Sequence, residues 1–370
     1  MVTRKNCLDL EELVNMEIKI GDKVISNTGK PYFIADVASN HDGSLERAFK
    51  LIELAKESGA DAAKFQNFQA KTIVSKNGFD TMPQVSHQAA WKKSVYEVYE
   101  DASINQEWTV KLKEKCDEVG IEYMTSPYDF DSVDLVDKYV NAYKIGSGDI
   151  TWLEILKYIC SKNKPVILAT GAAKLEDVDR AMKVLKESAN DIVLMQCNTN
   201  YTASVDNFKY INLKVLETYR KMYPDCILGL SDHTQGHTTV LGAMALGARV
   251  FEKHFTDDNL REGPDHKFAM NPKTWREMVD ASYELYYALG DGEKKIEENE
   301  KESVIVQQRA IYVKKDMKKG DIIKKDDIFP LRPLKKGCVY PYDIDKVVGK
   351  RLKKNIKSDE CLLWEMIEND

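Results

Sequence analysis

Between Tyr32 and Leu289 the chain alternates eight times between a short apolar run and a longer stretch whose apolar residues recur at helical spacing. The runs are Y-F-I-A-D-V-A, A-D-A-A-K-F-Q, I-E-Y-M-T-S, A-Y-K-I-G-S, P-V-I-L-A-T, D-I-V-L-M-Q-C, C-I-L-G-L and R-V-F-E-K-H. Such runs read as buried strands. The stretches between them, such as S-L-E-R-A-F-K-L-I-E-L-A-K-E-S-G, read as amphipathic helices. Consecutive βα units require parallel strands, and eight of them close most simply into a (β/α)8 TIM barrel, an α/β fold. An open doubly wound sheet is the alternative, but no G-x-G-x-x-G opens any of these helices.

The rest of the chain is read around that barrel. Residues 1–30 are polar and weakly patterned, closing in the turn N-T-G-K-P. Ala70 to Ile104 is long for a barrel connection, and a segment of that kind is functional or carries short elements of its own. Composition changes after Gly290, which divides the chain into a barrel domain (1–290), a charged linker (291–302) and a small β-rich domain (303–370). A core that small is marginal alone, so the tail is expected to dock on the barrel or on a partner subunit.

Composition excludes several classes. With 370 residues, 43% hydrophobic and 31% charged, the chain has enough material for a large core. A formal net charge of −6 argues against nucleic-acid binding, although a local group of lysines can still take an anionic substrate. No run of 18 apolar residues and no signal-peptide core appear, so no membrane partner is expected. Seven cysteines without C-x-x-C spacing read as reduced thiols of a cytoplasmic protein.

The chemistry lies at strand ends. G-L-S-D-H-T and F-E-K-H-F-T end apolar runs in histidines, His233 and His254, and packing alone does not call for imidazoles there. On neighbouring parallel strands the two would meet at the C-terminal mouth of the barrel and could share one divalent metal. Strand parity puts Lys64 with Gln66, Asp36 with Ile34, Ser231 with His233 and Glu252 with His254. Lys64, Lys144 and the hydroxyls of Ser126, Ser147, Thr199 and Ser231 suit a phosphate or carboxylate. Asp36, Asp149 and Asp265 are general acid/base candidates. Plainer roles suit other residues: His41 shapes a turn, His87 and His237 are surface or structural, and Trp91, Tyr96, Tyr99 and Trp108 pack beneath the long segment.

Taken together, S-N-H-D-G, G-A-D-A-A-K-F-Q, Y-K-I-G-S-G-D, G-L-S-D-H-T and E-K-H-F-T-D-D-N-L-R-E-G-P-D-H-K resemble the N-acetylneuraminate (sialic acid) synthase family. Q-R-A-I-Y-V-K-K-D-M-K-K-G-D resembles that family's antifreeze-like (SAF) domain. The resemblance implies condensation of phosphoenolpyruvate with the open-chain aldehyde of an N-acylated hexosamine, such as N-acetylmannosamine, to a nine-carbon 2-keto-3-deoxy acid and phosphate. It implies a Mn2+ or Mg2+ ion on His233 and His254, and carboxylate work by Asp36 and Asp149. Phosphoenolpyruvate contacts fall on Lys64, Lys144, Ser126, Ser147, Thr199 and Ser231, and sugar contacts on Gln66, Tyr201 and Asp265. It also implies a domain-swapped homodimer in which Arg332 reaches the N-acyl group of a sugar bound by the other subunit.

The chain departs from that family's pattern in informative places. Asp36 and Asp149 stand where the family has Glu, C-N-T-N-Y-T-A-S replaces C-T-x-x-Y-P-T-P, and R-P-L-K-K-G replaces Arg-Pro-Gly-x-Gly. These changes point to the alternative of a related synthase for a different or modified aldose acceptor, such as a legionaminic acid-like one. Two other classes stay open: a Schiff-base aldolase using Lys64 or Lys144, and a non-catalytic carbohydrate-binding protein.

Overall fold

In the computed structural model, which describes residues 16–82, 91–188 and 191–368, the apolar runs form eight parallel strands. They are β1 (Tyr32–Asp36), β2 (Ala62–Asn67), β3 (Glu122–Pro127), β4 (Tyr143–Ile145), β5 (Val166–Ala169), β6 (Ile192–Cys197), β7 (Ile227–Asp232) and β8 (Val250–His254). Hydrogen-bonded order runs β3-β2-β1-β8-β7-β6-β5-β4, and β3 and β4 come side by side to nearly close the ring. The helices between and after them are α1 (Leu45–Glu57), α2 (Trp108–Val119), α3 (Phe130–Val136), α4 (Leu153–Cys160), α5 (Leu175–Glu187), α6 (Val215–Met222), α7 (Thr238–Ala245) and α8 (Pro272–Leu289). Among the described residues no helix is long and apolar enough to cross a membrane.

Period-two alternation sorts each strand between two cores. Phe33, Ala35, Phe65, Leu168, Leu194, Leu228, Leu230 and Phe251 face the helices. Ile34, Ala62, Met124, Ile167, Val193, Ile227 and Val250 fill the barrel interior. Part of the segment read as weakly patterned belongs to this inner core. Glu17–Ile20 and Lys23–Ser26 pair as an antiparallel hairpin, and Ile18, Ile20 and Ile25 pack onto the interior cluster. Two four-residue strands, each with one buried face, give too short an alternation to register as a pattern.

The long segment after β2 carries short helices at Ala70–Ile73, Lys76–Thr81 and Val95–Ala102, the last opened by a reciprocal Ser94–Glu97 capping box. His87 lies outside the described residues.

The chain divides into compact units at Gly290 and Asp291. In the second, Ala310–Val313 pairs antiparallel with Ile328–Leu331 over a core of Ile311, Ile323, Val339, Leu352 and Leu362. Residues Lys301–Gln307 are helical. Cys338 and Cys361 form a disulfide, so the reading of all cysteines as free thiols does not hold. Their sequence separation of 23 hides a pairing made by antiparallel bridges such as Tyr312 to Cys361 and Cys338 to Leu363.

Candidate active site

A cavity of about 400 Å3 opens at the C-terminal ends of the barrel strands. Asp36, Lys64, Gln66, Lys144, Ser147, Asp149, Thr199, Tyr201, Ser231, His233, His254 and Asp265 all line it. Ser126, in register with Gln66 on the neighbouring strand, is not among the lining residues, and its buried hydroxyl has no hydrogen-bond partner. Arg332 is an exposed residue of the second unit.

Asp36 ends β1, and the next turn begins at Ala38 with a left-handed φ of 47°, its N–H donating to Asp36 Oδ1 at 3.0 Å. Lys64 Nζ donates to Asp36 Oδ2 at 2.5 Å and Gln66 Nε2 to the same oxygen at 3.1 Å. Burial works against the carboxylate's charge, but Lys64 and His254 outweigh it and hold Asp36 below its ordinary range. Lys64, equally buried, is held above its ordinary value by Asp36 and Glu252. Lys144 Nζ meets Glu252 Oε1 at 3.1 Å, Ser231 Oγ donates to that oxygen at 3.1 Å, and Glu252 Oε2 is buried without a hydrogen-bond partner.

Asp149 has a different environment. It follows β4 in the short turn Ser147–Asp149, where burial pushes its carboxyl up to about 6 and Lys144 only partly opposes this. Ser147 Oγ accepts the Gly171 N–H at 2.9 Å. A Cβ on Gly171 would lie 2.5 Å from Thr199 Cγ2, 2.9 Å from Ser147 Oγ and 3.0 Å from Cys197 Sγ, so only glycine fits this cradle.

The two histidines do converge. Their ring centroids are 5.3 Å apart, and Phe268 lies edge-on to both at 4.9 and 5.8 Å. Tyr201 stacks edge-on to His233 at 4.4 Å. His233 Nδ1 is 2.8 Å from the Asn198 carbonyl, which can only accept, so Nδ1 carries the proton and Nε2 the lone pair. His254 Nδ1 is buried without a hydrogen-bond partner, with Asp265 Oδ2 at 3.9 Å. Asp265 is anchored by the Ser39 hydroxyl at 2.6 Å. Its loop is tied down by His266, whose Nδ1 meets Thr256 Oγ1 at 2.7 Å and whose Nε2 meets Asp42 at 2.8 Å.

Sequence reasoning missed several of these groups. Glu252 was visible only as sharing a face with His254, and Cys197 and Phe268 gave no signal beyond apolar strand and loop residues. Trp91 and Tyr99, read as packing, also line the cavity, together with Ile73, Phe79 and Val98, while Tyr99 packs on Phe68 with ring centroids 5.5 Å apart. Trp108 does pack, against the His41 ring at 5.7 Å.

Residues 51–294 match the NeuB family and residues 308–368 the SAF domain. The chain is 37% identical to the N,N'-diacetyllegionaminic acid synthase of Legionella pneumophila, over 91% of this chain and 94% of that protein. It is 32% identical to a pseudaminic acid synthase of Campylobacter jejuni, over 91% of this chain and 96% of that protein. The N-acetylneuraminic acid synthetase of Leptospira borgpetersenii, solved with citrate, superposes with a TM-score of 0.68 at 25% identity, over 78% of this chain and 95% of that one. Barrel, tail and near-full-length similarity to sugar acid synthases agree: this chain belongs to the NeuB family and carries a SAF domain at its C-terminal side.

Proposed function

We propose that this chain is a nonulosonic acid synthase that joins phosphoenolpyruvate to the open-chain aldehyde of an N-acylated hexosamine. The observation that carries this reading is the pairing of two sealed lysines, Lys64 and Lys144, with Asp36 and Glu252 beside the imidazoles of His233 and His254. Lys64, Lys144 and the hydroxyls of Ser126, Ser147, Thr199 and Ser231 offer donors to the phosphate and carboxylate of the enol substrate. Gln66, Tyr201 and Asp265 face the acceptor.

In this reaction C3 of the enol phosphate attacks the aldehyde carbon, and the aldehyde oxygen becomes a hydroxyl by taking a proton. Water adds at the cationic C2 and gives up its proton to a carboxylate. The resulting hemiketal phosphate collapses to the ketone as the C2–O bond breaks and phosphate leaves. Asp149 suits this proton transfer, because burial brings its carboxyl to about 6 and close to working pH. Asp36, held ionised by Lys64, serves as a fixed counter-charge.

The donor chemistry at the mouth fits a divalent ion, Mn2+ or Mg2+. His233 and His254 would hold it, through the Nε2 lone pair of one ring and an unpartnered nitrogen of the other. Among the described residues no group of three or more His, Cys, Asp or Glu side chains is placed to hold a metal ion, so the ion is assigned to the two imidazoles alone, with its other positions left to water and substrate. When bound, such an ion supplies Lewis-acid polarisation of the aldehyde oxygen.

Phe68, Ile73, Phe79, Val98 and Tyr99 give the cavity an apolar and aromatic part of its lining. That lining favours a doubly N-acetylated, legionaminic-type acceptor over N-acetylmannosamine. Phosphate release over a panel of aldoses tests both levels. The doubly acetylated sugar is expected to lead in kcat/KM by at least tenfold. N-acetylmannosamine in first place rejects the finer reading, and no phosphate with any acceptor rejects the function.

A Schiff-base aldolase fits less well, since Lys64 is held charged and Lys144 is ion-paired. The resemblance extends the proposal to a cytoplasmic homodimer; light scattering that returns a monomer at micromolar concentration rejects that part.

A further inference from the structure

The helix-facing layer of the barrel along β7 and β8 is apolar at Leu228, Leu230 and Phe251 and just beyond at Phe255. In the same layer Asp232 and Lys253 form an ion pair, with both side chains 1% exposed. The two are register partners across β7 and β8, and each immediately precedes one of the paired histidines, His233 and His254. Parity therefore puts the ion pair behind the strands and the imidazoles in front of them.

The pair is fully satisfied. Asp232 accepts from the Thr234 N–H at 3.1 Å, from the Thr234 hydroxyl at 2.8 Å and from the Thr239 hydroxyl at 2.6 Å, in addition to Lys253. Lys253 also donates to the Thr234 carbonyl at 2.6 Å. Residues on both sides of His233 are thus fixed to the residue preceding His254, and Thr239 ties the assembly to the first turn of α7. Stability does not explain it, because well-packed apolar residues in place of a buried ion pair are often as stabilising or more so. What the pair provides is a fixed spacing between two strand ends.

We propose that Asp232 and Lys253 are positioning residues that set the separation and orientation of the His233 and His254 imidazoles, and so the affinity of the mouth for a divalent cation. The inference rests on the reading of those imidazoles as the cation's holders. A one-residue lever on each strand acts directly on ring placement, and metal sites lose affinity when the groups orienting their ligands are removed.

The test uses the metal-free full chain, with Mn2+ binding followed by electron paramagnetic resonance. Single variants Asp232→Asn and Lys253→Met leave one buried charge and can unfold, so the double variant Asp232→Asn/Lys253→Met is the deciding one. It is expected to melt within a few degrees of the parent, to bind Mn2+ at least tenfold more weakly, and to lose kcat while the KM for phosphoenolpyruvate changes less than threefold. Parental Mn2+ affinity in a folded double variant overturns the positioning role and leaves the metal reading intact. A parent chain that binds no Mn2+, or binds it equally well as His233→Ala, overturns both.

Discussion

Lys64 Nζ lies 2.5 Å from Asp36 Oδ2, and both side chains are only 2% exposed. A pair so sealed is costly to break from one side. Asp36→Asn leaves Lys64 with Glu252 Oε2 at 3.9 Å as its remaining anion. The expected loss is about 3–5 kcal/mol in urea unfolding. Adding Lys64→Met to Asp36→Asn is expected to restore much of the stability and none of the phosphate release. An Asp36→Asn variant as stable as the parent contradicts the pairing.

Asp149 is predicted to respond in the opposite direction. Its folded-state value of about 6 lies above the ordinary 3.8, so the folded form takes the proton first. Its ionisation therefore costs stability above pH 6, and the cost is relieved as pH falls from 6 towards 3.8. Asp149→Asn is expected to gain no more than about 3 kcal/mol at pH 8, less whatever solvent screens. Turnover should fall by about 10²–10⁴-fold. In the parent, the acid limb of kcat should bend near pH 6; a flat profile down to pH 5 rules out Asp149 as the base.

His41 carries the reverse sign. Burial lowers its imidazole to about 4, against the ordinary 6.5, and its Nδ1 accepts the Gly43 N–H at 3.1 Å. The unfolded chain takes up a proton below pH 6.5 that the folded chain refuses until about pH 4. Stability is lost across that window as pH falls. His41→Asn keeps an acceptor for Gly43 and is expected to flatten this part of the melting-temperature profile.

Gly171→Ala tests the cradle between Thr199, Ser147 and Cys197. A methyl group 2.5 Å from Thr199 Cγ2 must displace it. We expect a stability loss of about 1–3 kcal/mol from overpacking. The KM for phosphoenolpyruvate should rise at least tenfold, with the acceptor KM nearly constant. Unchanged kinetics would detach the cradle from the enol phosphate.

His233→Ala and His254→Ala are each predicted to lower turnover at least 10²-fold and to abolish Mn2+ binding in isothermal titration. EDTA on the parent should reproduce the loss, and added Mn2+ should reverse it. Activity that survives both substitutions and the chelator removes the metal from the proposal.

Strand parity made much of this site legible from the chain alone. Which face Asp36, Lys64, Gln66, Ser231, His233 and His254 take depends only on local period-two geometry, and eight βα repeats fix where the faces meet. Other features depend on distances between residues far apart in the chain. The packing of the Glu17–Ser26 hairpin onto the barrel interior and the Cys338–Cys361 bridge are two such features. The same holds for the two catalytic candidates Asp36 and Asp149, identical in residue type. One meets a buried lysine and keeps its charge, whereas the other is buried with little to offset the loss of water. Sequence determines which groups reach the mouth of the barrel; tertiary packing decides how each is solvated and paired, and therefore what chemistry it can perform.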